Sequence, residues 1–186
     1  MKYIENCKNQ FLYYKLLGEK AMVQVSDEKL FWQYNEDSNS IAIMVNHLAG
    51  NMLSRWTNFL TEDGEKEWRK RDHEFEDVIR SKTELYERWE EGWKCLFDAL
   101  NMVNDNDLEK IIYIRNQGHT ITDAVNRQLA HYAYHVGQIV FLAKMIVGEK
   151  WQSLSIPKGQ SDTYNKDKFS RDKTRKHFTD EYLKKK

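Results

Sequence analysis

The chain has 186 residues in which 29 Lys+Arg balance 29 Asp+Glu, so no global field draws it onto nucleic acid or an anionic membrane. Hydrophobic residues make up 40% and aromatic ones 13%, enough for the core of one domain and too much for wholesale disorder. Cys7 and Cys95 stand far apart and outside any CxxC pair, which excludes reading a disulfide framework or a thiolate zinc site and makes a reducing, cytoplasmic compartment the expectation.

The first residues, with Lys2, Glu5, Lys8 and Asn9 among them, lack the basic start and apolar run of a secretory signal, so none is expected. A single proline, Pro157, and eight glycines leave long stretches without a helix breaker and favour an all-α fold. A first helix is predicted over 3–25, with Ile4, Cys7, Phe11, Tyr14, Leu17 and Met22 at helical spacing. The second begins at the N-cap candidates Ser38 to Ser40 and runs to about residue 60, its apolar stripe passing through Ile41, Met44, Val45, Leu48, Met52 and Phe59 with His47 at the border.

Residues 61–80 are dense in charge and read as a solvated connection with about one helical turn. A third helix opens at the capping box Ser81-x-x-Glu84 and extends to about 103 through Leu85, Trp89, Trp93, Leu96 and Leu100. Residues 110–115 (KIIYIR) suit a short extended segment before a turn at Asn116, Gln117 and Gly118. The last helix starts at a second box, Thr120-x-x-Asp123, and runs to about 147, where Gly148 supplies a C-cap. Its apolar stretch 139–147 is interrupted by Lys144 and too short to cross a bilayer. Beyond it, residues 149–186 hold 11 Lys+Arg against 6 Asp+Glu, a basic and irregular tail expected to be a solvated arm. The expected division is a bundle over 1–165 and a tail over 166–186.

His131 and His135 are four apart on a predicted helix, so they share a face and can chelate one metal ion. The same face carries Arg127, Gln128, Tyr134 and Gln138. This His, Gln and Tyr content suits a lined cavity better than an exposed face, although a solvent-facing strip has the same spacing. His47 shares its helix face with Gly50, Asn51 and Ser54. If the two helices face each other in a bundle, three neutral imidazoles leave coordination positions open for water or substrate. His73, His119 and His177 read as surface histidines, and Cys95 as a packed thiol. HExxH, a phosphate-cradling Gly loop and a Gly-x-Ser-x-Gly elbow are all absent from the sequence.

Three stretches are more specific than a bare HxxxH: NHLAGN over 46–51, NRQLAHYAYHVGQI over 126–139 and SLSIPKGQS over 153–161. On these the chain resembles the bacterial DinB-like superfamily of DNA-damage-inducible and thiol S-transferase-like proteins, in a branch of unknown function, over about residues 1–165. The resemblance implies a four-helix bundle, often homodimeric. It also implies one divalent metal, Zn²⁺ or Ni²⁺, held by one histidine of the second helix and two of the last, here His47, His131 and His135. It further implies that the metal activates a low-molecular-weight thiol for transfer to an electrophile, or water for hydrolysis. Around these ligands Asn51 and Gln138 are candidate pocket groups. Arg127 is a candidate anion contact, or else the partner of a neighbouring acid. Tyr134 either offers its phenol to substrate or packs. The alternative function is a non-catalytic, metal-stabilised bundle, since no general base is evident near the ligands. A membrane or nucleic-acid partner is not expected.

Overall fold

Hydroxyl side chains open three of the four long helices, and a remote carboxylate opens the fourth. The computed structural model describes residues 2–183 and contains, among them, helices α1 (Tyr3–Met22), α2 (Ile41–Trp56), α3 (Lys82–Asn101), α4 (Ile121–Val147), α5 (Ser161–Phe169) and α6 (Asp180–Leu183). Ser40, Ser81 and Thr120 accept from the backbone N–H three residues on, at 3.0–3.1 Å, so the predicted starts of α2 to α4 hold. The Thr120 box is reciprocal, with Asp123 accepting from Thr120 N. Glu84 instead accepts from Arg80 N, one residue before the cap. No side chain of its own segment caps α1; the Asp105 carboxylate takes the N–H groups of Tyr3 and Ile4, which ties this end to the chain after α3.

Helices α1 to α3 end earlier than their apolar periodicity suggests, whereas α4 ends at Val147 before Gly148 as expected. In α2 the backbone leaves helical geometry at Thr57 and turns left-handed at Asn58 (φ 48°), which stops the helix at Trp56 instead of about 60. Around the bundle α1 packs on α3 and α4, and α2 packs on α3 and α4, so the chain neighbours α1/α2 and α3/α4 lie on diagonals. Phe11, Trp93 and Tyr132, from three helices, meet at ring separations of 5.8–6.5 Å, and Trp56 of α2 joins them by donating from Nε1 to the Tyr132 hydroxyl at 3.0 Å.

The charged stretch 61–80 is largely exposed and carries one 3₁₀ turn (Asp72–Phe75), as expected, but it is more than a solvated connection. Glu74 and Lys66 are buried, and it wraps against α2, whose residues are all buried except Leu53. The apolar stripe of α2 was therefore only part of its buried surface. Nor is the extended segment alone: β1 (Ile111–Ile114) pairs antiparallel with β2 (Gln117–Thr120), so Gln117 and Gly118 belong to a strand and the turn is Arg115–Asn116, both left-handed (φ 55° and 59°). Asp63 holds that turn, accepting from the N–H of Arg115 and of Asn116 at 2.8 Å each, while Gly64 N donates to Tyr113 O.

The tail is partly helical, and residues 165 and 166 both lie within α5. It returns to α1, where Tyr13 meets Phe178 and Tyr182 at 5.5 and 5.0 Å between ring centres. No helix of the described residues is long and apolar enough to cross a membrane.

Candidate metal centre

His47 sits mid-way along α2, and His131 and His135 lie one turn apart on the facing side of α4. Their rings converge through Nε2: His131 Nε2 lies 3.4 Å from His47 Nε2 and 3.0 Å from His135 Nε2, and the candidate ligand atoms all fall within 4.8 Å of one another. His47 and His135 are buried and His131 is half-buried. Nitrogens bound tetrahedrally to one Zn²⁺-sized ion are separated by about 3.3 Å. Two of the three separations are close to that value and the third lies within 4.8 Å, so the cluster could hold a divalent ion.

Each Nδ1 faces an oxygen that can only accept. His47 Nδ1 is 2.9 Å from Glu74 Oε2, His135 Nδ1 is 2.7 Å from Gln138 Oε1, and His131 Nδ1 is 3.4 Å from Gln128 Oε1. Placing the protons on Nδ1 leaves three Nε2 lone pairs pointed at one another, an arrangement that favours a shared cation. Burial, then His135, His47 and the cationic Arg55 and Arg127, push His131 down to about 3; burial and then His47 push His135 down to about 4. Both are neutral at pH 7, the form a metal needs.

The NHLAGN stretch acquires a physical meaning residue by residue. Asn46 donates its amide to the backbone oxygens of His73 and Glu74 and so holds the 3₁₀ turn Asp72–Phe75 over α2. Gly50 leaves room for the Glu74 side chain, since a Cβ there would stand 2.7 Å from Oε1. Ala49 meets Gly92, where a Cβ would come within 2.7 Å of the Ala49 Cα, so α2 and α3 cross closely. Asn51 accepts from the Tyr132 hydroxyl at 3.1 Å. Phe75 stacks on the His47 ring with centroids 4.4 Å apart.

Glu74 also takes Arg69 in a two-pronged pair, Nε at 2.7 Å and Nη2 at 2.9 Å. Burial alone would raise the Glu74 carboxyl, but bonds from His47 and Arg69 outweigh it and hold the group below the usual carboxylate range. Beside the histidines opens a cavity of about 400 Å³, within the size range of small-molecule sites. Asn51, Gln128 and Tyr134 reach its wall, as do five arginines, Arg55, Arg69, Arg71, Arg115 and Arg127, and no carboxylate among the described residues lines it.

The structure brings together His47, His131, His135 and Gln138 as neighbours in direct contact. Asn51 and Arg127 reach the same cavity, but Asn51 is bonded to Tyr132 and to none of the three imidazoles. Tyr134 is 61% exposed and accepts from Gln138 Nε2 at 3.1 Å. Of the histidines set aside, His73 is exposed, whereas His119 on β2 and His177 are half-buried and away from the cavity. Cys95 meets Thr57 Oγ1 at 3.5 Å and no histidine. The SLSIPKGQS stretch follows a clasp in which Gln152 and Gln24 exchange two hydrogen bonds at the end of α1, and it contributes nothing to the cavity wall. Glu74, Arg69, Phe75 and Arg115 are contributed by segments without helical periodicity, and no spacing rule marks them, whereas Arg55 lies four residues after Asn51 and eight after His47 on α2, where helical spacing points to it.

An all-α bundle with three convergent imidazoles between two facing helices, able to hold a metal ion, is the class that fold and site define. Residues 1–160 match the family described as Protein of unknown function (DUF1572), and the chain belongs to it. No curated protein and no solved structure matches the chain.

Proposed function

We propose that this chain is a DinB-like metalloenzyme, cytoplasmic and homodimeric, in which His47, His131 and His135 hold one Zn²⁺ or Ni²⁺ beside a substrate cavity. The observation that carries the reading is the convergence of three Nε2 atoms at 3.0 and 3.4 Å with every Nδ1 facing an acceptor. Bound there, a divalent cation supplies Lewis acidity, which brings the pKa of a thiol or water toward neutrality and so provides a nucleophile. The two chemistries are transfer of a low-molecular-weight thiol to an electrophile and hydrolysis.

The chain's own residues supply the setting. Glu74 orients His47 by accepting its Nδ1 proton, which leaves the Nε2 lone pair toward the other imidazoles. Gln138 fixes the His135 ring and presents its amide to Tyr134, which stands at the mouth. Phe75 covers one face of His47 and keeps water off it. Metal analysis by mass spectrometry tests the assignment, on tag-free protein and on the H47A/H131A/H135A variant. Near one equivalent in the parent, lost in a folded variant, is expected; full loading of the variant overturns the ligand set.

One observation favours a second reading, a bundle in which the metal only stabilises the fold. Glu74, the carboxylate nearest the imidazoles, is already shared between His47 and Arg69, so no wall residue is an evident general base. A metal-free form that stays folded and a thiol that perturbs the spectrum of the Co²⁺-substituted site favour the enzyme. A metal-free form that unfolds, with no response to thiol or substrate, favours the structural role.

A further inference from the structure

Of the five arginines around the cavity, two are already committed. Arg55 is buried, bonded to Gly64 O, and 3.0 Å from Glu65 Oε2; Arg69 is gripped by Glu74 and lies 3.1 Å from the same Glu65 oxygen. Arg55 ties the start of the 64–74 segment to α2, and Arg69 ties Glu65 to Glu74 within it. Arg55 keeps a buried Nε without a partner among the described residues, whereas the three others are more loosely held. Arg115 reaches Glu65 only through Nε, at 3.2 Å, which leaves both of its terminal amino groups without a partner among the described residues. Arg71 is 3.8 Å from the exposed carboxylate of Asp72, and its guanidinium lies over the Phe75 ring that stacks on His47. Arg127 has no hydrogen bond or ion pair among the described residues and stands one turn before His131 on the same face of α4.

Three guanidiniums with free donors, carried on three separate segments, thus surround one opening whose floor is the imidazole cluster. Like charges gathered this way repel one another. The left-handed backbone at Arg115, secured by Asp63, shows that the hairpin turn is fixed in place and not a loose end. A planar fork of N–H donors matches the oxygens of a carboxylate or phosphate, and several forks converging suit a compact oxyanion better than any neutral group.

We infer that the cavity binds a substrate or cosubstrate through a carboxylate or phosphate group held by Arg127, Arg115 and Arg71, with the reacting end of that molecule facing the three histidines. The inference rests on the reading of this cavity as an active site, and it names the chemical class of what enters. It gives the hairpin a purpose, since β1 and β2 carry Arg115 to the rim. It excludes uncharged apolar electrophiles paired with uncharged thiols as the full set of reactants.

The test is calorimetric titration of inorganic phosphate and, separately, succinate into the tag-free full chain at low salt, both metal-free and zinc-loaded. Saturable binding is expected in the metal-free protein, and the tighter of the two probes identifies the group. Arg127→Ala and Arg115→Ala should each weaken that binding about tenfold, the size of a lost charge-assisted hydrogen bond, and Arg127→Lys should weaken it less. Zinc stoichiometry, measured on the same samples, should not change. Absence of saturable binding, or binding indifferent to both alanine substitutions, overturns the inference and leaves the metal assignment untouched. Anion binding that depends on Arg127 in a parent chain that takes up no zinc leaves the inference standing and removes the metal.

Discussion

Glu74 accepts the Nδ1 proton of His47 at 2.9 Å although it lies 27 residues further along the chain, and its other oxygen takes Arg69 at 2.7 Å. A single buried carboxylate thus orients an imidazole and neutralises a guanidinium. Glu74→Gln keeps the volume and removes the charge. It should lower zinc affinity about 10–100-fold, the usual effect of losing a ligand's orienting partner. It should also destabilise the fold by about 3 kcal/mol, because Arg69 is left buried with its nearest countercharge gone. Zinc titration and urea unfolding of the same variant check the two effects separately.

Gly50 and Gly137 make a matched pair on the two helices that carry the histidines. A Cβ at Gly50 would meet Glu74 at 2.7–2.9 Å, and that side chain cannot swing away without leaving His47 and Arg69. Gly50→Ala should therefore cost about 1–3 kcal/mol despite its helix propensity, and should weaken zinc binding as well. Nothing lies within 4 Å of a Cβ at Gly137, so Gly137→Ala should stabilise the chain by about 0.5–1 kcal/mol. Thermal unfolding of both variants, with and without zinc, separates the site effect from the helix effect.

The histidine pair was legible because helices repeat: His131 and His135 are fixed by their spacing, and Gln138 follows from lying three residues beyond a candidate ligand; His47 was joined to them by the family resemblance. Glu74 was not, because its position depends on Asn46 holding the backbone of an aperiodic turn, and on the space left by Gly50, neither of which leaves a pattern in the charged stretch itself. The second strand was hidden for a similar reason. Its residues, QGHT, have little strand character of their own and are held by pairing with Ile111–Ile114 and by Asp63 at the turn. Helix starts were readable from Ser40, Ser81 and Thr120; the cap of α1 was not, because Asp105 acts from 102 residues away in sequence.

Asn51 belongs to the core as much as to the cavity. Its side-chain oxygen takes the Tyr132 hydroxyl, which in turn accepts from Trp56 Nε1, so α2 and α4 are joined by a buried polar chain just beneath the imidazoles. Tyr132→Phe keeps the ring contacts with Phe11 and Trp93 but leaves two polar groups without a partner, at a cost of about 1–3 kcal/mol. Zinc stoichiometry should stay at the parent level, since neither Asn51 nor Tyr132 bonds to an imidazole. Loss of metal in this variant would place Asn51 in the metal site after all.

The depressed titration of His131 and His135 sets how the metal-free chain responds to acid. Their ordinary value is 6.5, whereas burial and neighbouring imidazoles hold them near 3 and 4 in the folded protein. Between those limits the unfolded chain binds protons that the folded chain refuses, so stability that is complete above about 6.5 declines as pH falls toward 4 and 3. Glu74 adds to the decline at its lower end, because its carboxyl is held below 4.5 by His47 and Arg69 despite burial. Urea midpoints of the metal-free protein should therefore drop steadily from pH 7 to pH 4, and the H131A/H135A variant should show a shallower slope over the upper half of that range. A parent midpoint that is flat across pH 6.5 to 4.5 would mean that the two imidazoles are freely protonated in the folded state. Zinc-loaded protein should start from a higher midpoint and fall more steeply, since acid then removes the metal along with the neutral ligands that hold it.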